Sequence, residues 1–201
     1  MTNDHYFTAQ PSTPSVPYVI RVALPDGTLN LTTDRGVFSY GALDTGTRLL
    51  LLKAPRPPAS GNLLDLGCGV GAIAITLALR SPDATVWAVD INERAVELCR
   101  DNAVANGVSN VRACLPDEVP DDIAFDAMWS NPPIHIGKAA LHALLQRWMS
   151  RLTPSASAVM VVQKHLGSDS LQAWLSSTGY PTERLASAKG FRLLRSTVAE
   201  P

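Results

Sequence analysis

Two short segments of this 201-residue chain carry residue types that could act together on a small molecule. The first is Asp65-Leu66-Gly67-Cys68-Gly69-Val70-Gly71, which leaves an apolar run and enters an alanine-rich one. Glycines at such a place let the backbone turn sharply and approach a ligand, and the free N–H groups opening the next helix would ordinarily favour an anion. Asp90 follows roughly 20 residues on, ending the next apolar run, where a carboxylate is placed to bind ribose hydroxyls. The second segment is Asn131-Pro132-Pro133-Ile134, directly after another apolar run.

The glycine loop and Asp90 fit two cofactor classes, nicotinamide dinucleotides and S-adenosylmethionine. A pyrophosphate wants three glycines spaced to make room for two phosphates beside a helix end. Here the spacing is Gly-x-Gly-x-Gly, and Asp65 precedes it. A carboxylate there repels pyrophosphate but can help hold the ammonium of a methionine moiety, directly or through backbone positioning. S-adenosylmethionine is therefore the favoured cofactor. Its expected binding residues are Asp65, Gly67, Cys68, Gly69, Gly71, Asp90 and Ile91, with Asp44 supporting the site from an earlier helix.

The elements that must position these residues are legible as alternating short apolar runs and helical segments, the signature of strand-helix units and a mostly parallel sheet. The pattern predicts strands at 63–66, 85–90, 111–114, 125–130 and 158–163, and helices at 72–80, 93–106 and 138–152. Asn92 suits the N-cap of the second of these helices and Gly107 its stop. A helix at 169–177 and a closing hairpin, 182–187 with 191–196, complete the unit. Ahead of it, Pro25-Asp26-Gly27 predicts a turn joining strands at 18–23 and 28–32, and 44–52 reads as a short helix. The expected fold is α/β and Rossmann-like: a seven-stranded mostly parallel sheet, helices on both faces, a C-terminal antiparallel hairpin and an N-terminal β-hairpin. Residues 1–17, polar and carrying three prolines, are expected to form a flexible tail, and 18–201 a single domain.

With these residues in view, the chain resembles the amino-methylating Rossmann-like methyltransferases that carry an Asn-Pro-Pro motif. Gly36-Val37-Phe38-Ser39, the segment from Leu43-Asp44 to Leu51 and Gly190-Phe191-Arg192 sharpen the resemblance to the small-subunit ribosomal RNA guanine-N2 methyltransferases, over about residues 18–196. The resemblance implies that the Asn131 side chain and the Pro132 carbonyl accept hydrogen bonds from the target amine as catalytic groups. An exocyclic amine conjugated to a base is a poor nucleophile and benefits from acceptors that hold its protons while charge develops. It implies also that Pro133 and Ile134 contact substrate, ribosomal RNA of the small subunit, while the excess of basic residues on the closing hairpin makes Lys189 and Arg192 the expected contacts to the same RNA. Ile134 stands where family members typically have an aromatic residue. A protein glutamine or a small molecule is the alternative substrate, and a non-catalytic RNA-binding or assembly protein the alternative of another class.

Charge is segregated along the chain. Residues 1–137 hold 9 Lys+Arg against 15 Asp+Glu, and residues 138–195 hold 8 against 2. The basic part suits an anionic partner such as RNA. Three cysteines with no expected leader argue for a reducing, cytoplasmic setting. The longest apolar runs are far shorter than a membrane span, and His135, His142 and His165 match no metal-ligand spacing, so neither membrane nor metal is expected.

Overall fold

The computed structural model describes residues 13–198. Of the tail expected over 1–17, residues 1–12 lie outside the described residues. Residues 15 and 16 are tied down, because the Ser15 hydroxyl and the Val16 N–H both donate to the buried Asp34 carboxylate, at 2.6 and 2.5 Å. Past the prolines, β1 (Tyr18–Leu24) and β2 (Gly27–Thr33) pair antiparallel around the expected turn.

A two-stranded ribbon is marginal in water on its own. This one leans on helix α3 (Glu93–Ala105), whose Asn102 and C-cap Asn106 lie one turn apart. Asn102 accepts from the Thr32 N–H at 2.7 Å and donates to the Thr32 carbonyl at 2.9 Å. Asn106 treats Asn30 the same way, at 2.9 and 2.7 Å. The two side-chain amides stand in for a third strand and cover an edge that would otherwise be open.

The main sheet is built from β3 (Ser60–Leu66), β4 (Asp83–Val89), β5 (Val111–Cys114), β6 (Phe125–Ser130), β7 (Leu152–Gln163), β8 (Thr182–Ala188) and β9 (Phe191–Thr197). Their spatial order is β5-β4-β3-β6-β7-β9-β8, and β9 alone runs in the direction opposite to the other six. Alternating strand residues feed two separate cores. Leu63, Ala127 and Val161 pack in one with α1 (Thr45–Lys53), α2 (Ala72–Arg80), α3 and the hairpin. Leu64, Met128 and Val162 pack in the other with α4 (Lys138–Met149) and α5 (Ser168–Ser177). Both faces are thus covered, as a parallel sheet requires.

Strand β3 begins at Ser60 and β4 at Asp83, two to three residues before the expected starts, and the largest difference lies between α4 and β7. The helix expected to reach 152 ends at Met149, and Leu152 already pairs with Phe125 as the first residue of β7. The register then shifts, so that Ala127 faces Ser157, and the intervening stretch contains Pro154. Proline cannot donate to a ladder, which is why the strand bulges there and why the sequence reads locally as a loop.

Candidate active site

β3 and β6 lie side by side with Leu66 opposite Ser130, and the Ser130 hydroxyl donates to the Leu66 carbonyl at 2.6 Å. The residues that follow, Gly67 and Asn131, therefore leave the sheet together at the point where strand order reverses. Ligands of open α/β sheets gather outside the carboxyl ends of the strands at this point. A cleft of about 410 Å³ opens here, lined among others by Gly67, Gly69, Asp90, Ile91 and the residues 131–134. That volume falls within the range of small-molecule sites.

The glycine loop is clamped to the end of β4. The Gly67 and Cys68 N–H groups donate to the Val89 carbonyl at 2.8 and 3.1 Å, and the Gly69 N–H donates to Asp90 Oδ2 at 2.9 Å. Asp90 Oδ1 accepts from the Asn92 N–H at 3.0 Å. A carboxylate accepts up to about four hydrogen bonds, so capacity remains for a ligand hydroxyl. Burial pushes the Asp90 carboxyl above its ordinary range, against the lowering effect of its backbone donors. Gly71 caps α2 at φ 88°, and a β-carbon there would lie 2.7 Å from Cys99 Sγ, so no larger residue fits.

Asp65 is fully buried and lines neither the cleft nor the adjoining small recess. Its Oδ2 accepts from the Ala74 N–H at 2.8 Å, in the first turn of α2, while Oδ1 has no partner. Burial raises its pKa to about 8. Of the two roles open to it in the sequence, the structure realises positioning of backbone, through the start of α2. Cys68 is also buried and lines the recess of about 30 Å³ beside Asn131; a hydrogen bond with Cys99, together with burial, pushes its thiol well above the ordinary range.

Asn131 is held from across the molecule. Its Nδ2 donates to Asp44 Oδ2 at 2.9 Å and to Thr47 Oγ1 at 3.0 Å. Asp44 is the N-cap of α1, and the same Oδ2 accepts from the Thr47 N–H at 2.8 Å. An ionised carboxylate can only accept, so this partner dictates which end of the amide faces it. The amide oxygen, Oδ1, is left as the acceptor of a side chain that lines the cleft. Next to it, the Pro132 carbonyl accepts from the Ile134 N–H at 2.8 Å and retains its second lone pair. The site thus offers two adjacent acceptors beside the loop and the carboxylate that the sequence marked for a nucleoside-bearing cofactor.

Pro133 and Ile134 line the same cleft, but the structure does not bring Lys189 or Arg192 to it. Lys189 is exposed in the turn between β8 and β9. Arg192 is only 7% exposed, and its guanidinium is ion-paired with Asp169 of α5, which Arg184 also meets at 3.4 Å. Arg195 pairs with Glu183 across the hairpin. Both acidic residues of the basic part are thus spent on the hairpin's own arginines. The arginine that does line the cleft is Arg147 of α4, paired with Asp117 at 3.1 Å. Thr47, Phe38 and Phe191 also belong to the site without having been assigned to it. The signal for Phe191 was a glycine inside a helix, Gly46, whose missing side chain makes room for the ring. Among the described residues no group of three His, Cys, Asp or Glu side chains is placed to hold a metal ion, and no helix is long and apolar enough to cross a membrane.

Comparison with known proteins agrees with this geometry. Residues 28–195 match the family described as methyltransferase small domain. A protein of Bacillus subtilis (strain 168), YbxB, described as uncharacterized, is 33% identical over 197 residues, covering 96% of this chain and 98% of its own length. Ribosomal RNA small subunit methyltransferase C of Pseudomonas aeruginosa (strain LESB58) is 32% identical over 201 residues, covering 92% of this chain and 56% of that protein. The chain therefore spans little more than half the length of that relative. Among solved structures, the T. Thermophilus 16S rRNA N2 G1207 methyltransferase in complex with AdoMet and guanosine superposes with a TM-score of 0.79 at 24% identity, over 94% of this chain and 52% of that one. A glycine loop tied to Asp90, two acceptors at the end of β6 and a family match covering most of the chain lead to one conclusion: the chain belongs to the methyltransferase small domain family.

Proposed function

We propose that this protein transfers a methyl group from S-adenosylmethionine to an exocyclic amino nitrogen, and that the amine is guanine N2 in small-subunit ribosomal RNA. The observation that carries the reading is the orientation of Asn131: with Nδ2 given to Asp44 and Thr47, Oδ1 is the atom that can accept an N–H from a substrate amine. The names of the Pseudomonas and Thermophilus relatives, which specify ribosomal RNA and guanine N2, support the choice of substrate.

When bound, S-adenosylmethionine supplies an electrophilic methyl group on a sulfonium. Gly67, Gly69, Ile91 and Asp90 would hold it, the Asp90 oxygens accepting from the ribose hydroxyls as Gly69 and Asn92 keep the carboxylate in place. Asn131 Oδ1 and the Pro132 carbonyl then each take one N–H of the amine, which turns the nitrogen lone pair toward the methyl group and disperses the positive charge that develops on nitrogen. The nitrogen would gain the methyl as the sulfonium–methyl bond breaks, leaving S-adenosylhomocysteine as the neutral thioether, and would lose one proton to solvent. No covalent bond to the protein forms. The three cysteines, all free, suit a reducing compartment, and we place the protein in the cytoplasm on that ground.

The test is mass spectrometry of nucleosides from RNA incubated with cofactor and protein. N2-methylguanosine should form, and Asn131→Ala should lower turnover about 100-fold or more while cofactor affinity stays within a few fold. Methylation of a glutamine peptide in place of RNA would reassign the substrate, and RNA binding with no methyl transfer to anything would mark a non-catalytic protein.

A further inference from the structure

Phe191 and Asn131 line the same cleft, and both are packed against the first turn of α1. Gly46 lies in the first turn of α1, between Asp44 and Thr47, the two residues bonded to Asn131. A β-carbon on Gly46 would lie 2.8 Å from Phe191 Cε1, 2.9 Å from Cδ1 and 3.0 Å from Asp44 Oδ2, the oxygen that holds Asn131 Nδ2. Glycine is among the residues least suited to a helix, and its presence at 46 is explained by the ring edge that occupies the space. Phe191 opens β9 opposite Gln163, and both line the cleft. One ring edge rests on α1 while the side chain stays partly exposed as cleft wall. Ile134, in the turn after the prolines, contributes an apolar wall without a π face.

We propose that Phe191 is the stacking surface for the target base, so that a guanine lies on this ring while its amino group reaches Asn131 Oδ1 and the Pro132 carbonyl. The proposal rests on the RNA reading above and names the residue that selects a flat aromatic substrate. A planar partner excludes water from a whole face of a planar base, and an aromatic side chain supplies this for every base because each has a π face. Leucine at 191 would preserve apolar contact with α1 but remove the ring.

The experiment titrates guanosine into protein saturated with S-adenosylhomocysteine and, alongside, measures kcat and KM for RNA methylation. Phe191→Leu should weaken guanosine binding and raise KM roughly tenfold, the scale of losing one stacked ring. Cofactor affinity and melting temperature should stay at parental values, and Phe191→Trp should restore binding. If Phe191→Leu binds guanosine as the parent does, the stacking role is overturned while the RNA reading stands. If Phe191→Leu and Phe191→Trp both lose cofactor binding, the ring is structural and the proposal is likewise overturned. If the parent binds neither guanosine nor RNA but methylates a glutamine peptide, the RNA reading falls and takes the base-stacking role with it.

Discussion

Asp44 and Asp65 show how one residue type is put to opposite uses by its surroundings. Asp44 is in the cleft wall, accepts from Asn131 and Thr47, and fixes the sense of the Asn131 amide. Asp44→Asn keeps a good helix cap but introduces a group able to donate, so Asn131 can rotate and present its NH₂ to the substrate. Turnover should fall at least tenfold with little change in melting temperature, since a misdirected acceptor is lost mainly in the transition state; a parental kcat in this variant would show that Asp44 only caps the helix. Asp65, by contrast, is sealed beneath the loop, and burial raises its pKa from 3.8 to about 8. Between those values the folded protein holds a proton that the unfolded chain has released, so stability falls as pH rises through this window and levels off above it. Asp65→Asn removes the titration. Urea unfolding at pH 5 and pH 8 should therefore find the cofactor-free parent losing stability relative to the variant as pH rises, by at most about 1.4 kcal/mol per pH unit. Parallel stability curves would show that Asp65 does not carry the proton.

Among the elements, α3 connects parts of the molecule that are distant in sequence. Besides its two bonds to Thr32, Asn102 donates to the Val70 carbonyl at 2.9 Å, so one buried amide links the hairpin edge to the glycine loop. Asn102→Ala would leave the buried Val70 carbonyl and the part-buried Thr32 N–H and carbonyl without these partners. The expected loss is about 2 to 4 kcal/mol of unfolding free energy, read by urea denaturation, because each stranded polar group costs on the order of 1 to 3 kcal/mol. A loss below about 1 kcal/mol would mean that water replaces the amide at little cost. The hairpin's dependence on α3 also explains why its strands can be short and amphipathic: β2 buries Leu29 and Leu31 in the same core as α1 and α2 and leaves Asn30 on the outer side.

At the scale of the whole molecule, what was legible in the sequence was local. The glycine loop, Asp90 and Asn131 each sit where an apolar run ends, and the sheet's reversal of order brings those ends together. Contacts across the fold were legible only in that Asp44 was expected to support the site from an earlier helix. Nothing near residue 131 announces that Thr47 and Asp44 orient it, and nothing in Gly190-Phe191-Arg192 tells which of two adjacent side chains faces the cleft. Phe191 does, whereas Arg192, on the opposite side of the strand, is absorbed by Asp169. Charge segregation pointed to the hairpin, but counting charges ignores that Asp169 and Glu183 lie within reach of three arginines. The asparagine pair on α3 bears in addition on how the protein ages. Asn106 is followed by Gly107, the dipeptide in which a side-chain amide is most readily lost through a cyclic imide formed by attack of the next backbone nitrogen. Here that nitrogen donates to the Val104 carbonyl at 3.0 Å, and the amide itself is held by the Asn30 and Asn102 carbonyls, each at 2.7 Å. Storage at mildly alkaline pH, followed by peptide mapping, should find deamidation at 106 slow in the parent and faster in Asn102→Ala, whose hairpin loses two of its four amide hydrogen bonds to the helix; equal rates would mean that the hairpin does not protect the site. Conversion to aspartate would replace a donor with a negative charge facing the Asn30 carbonyl, so the molecular lifetime of the hairpin is set by the same contact that covers its edge.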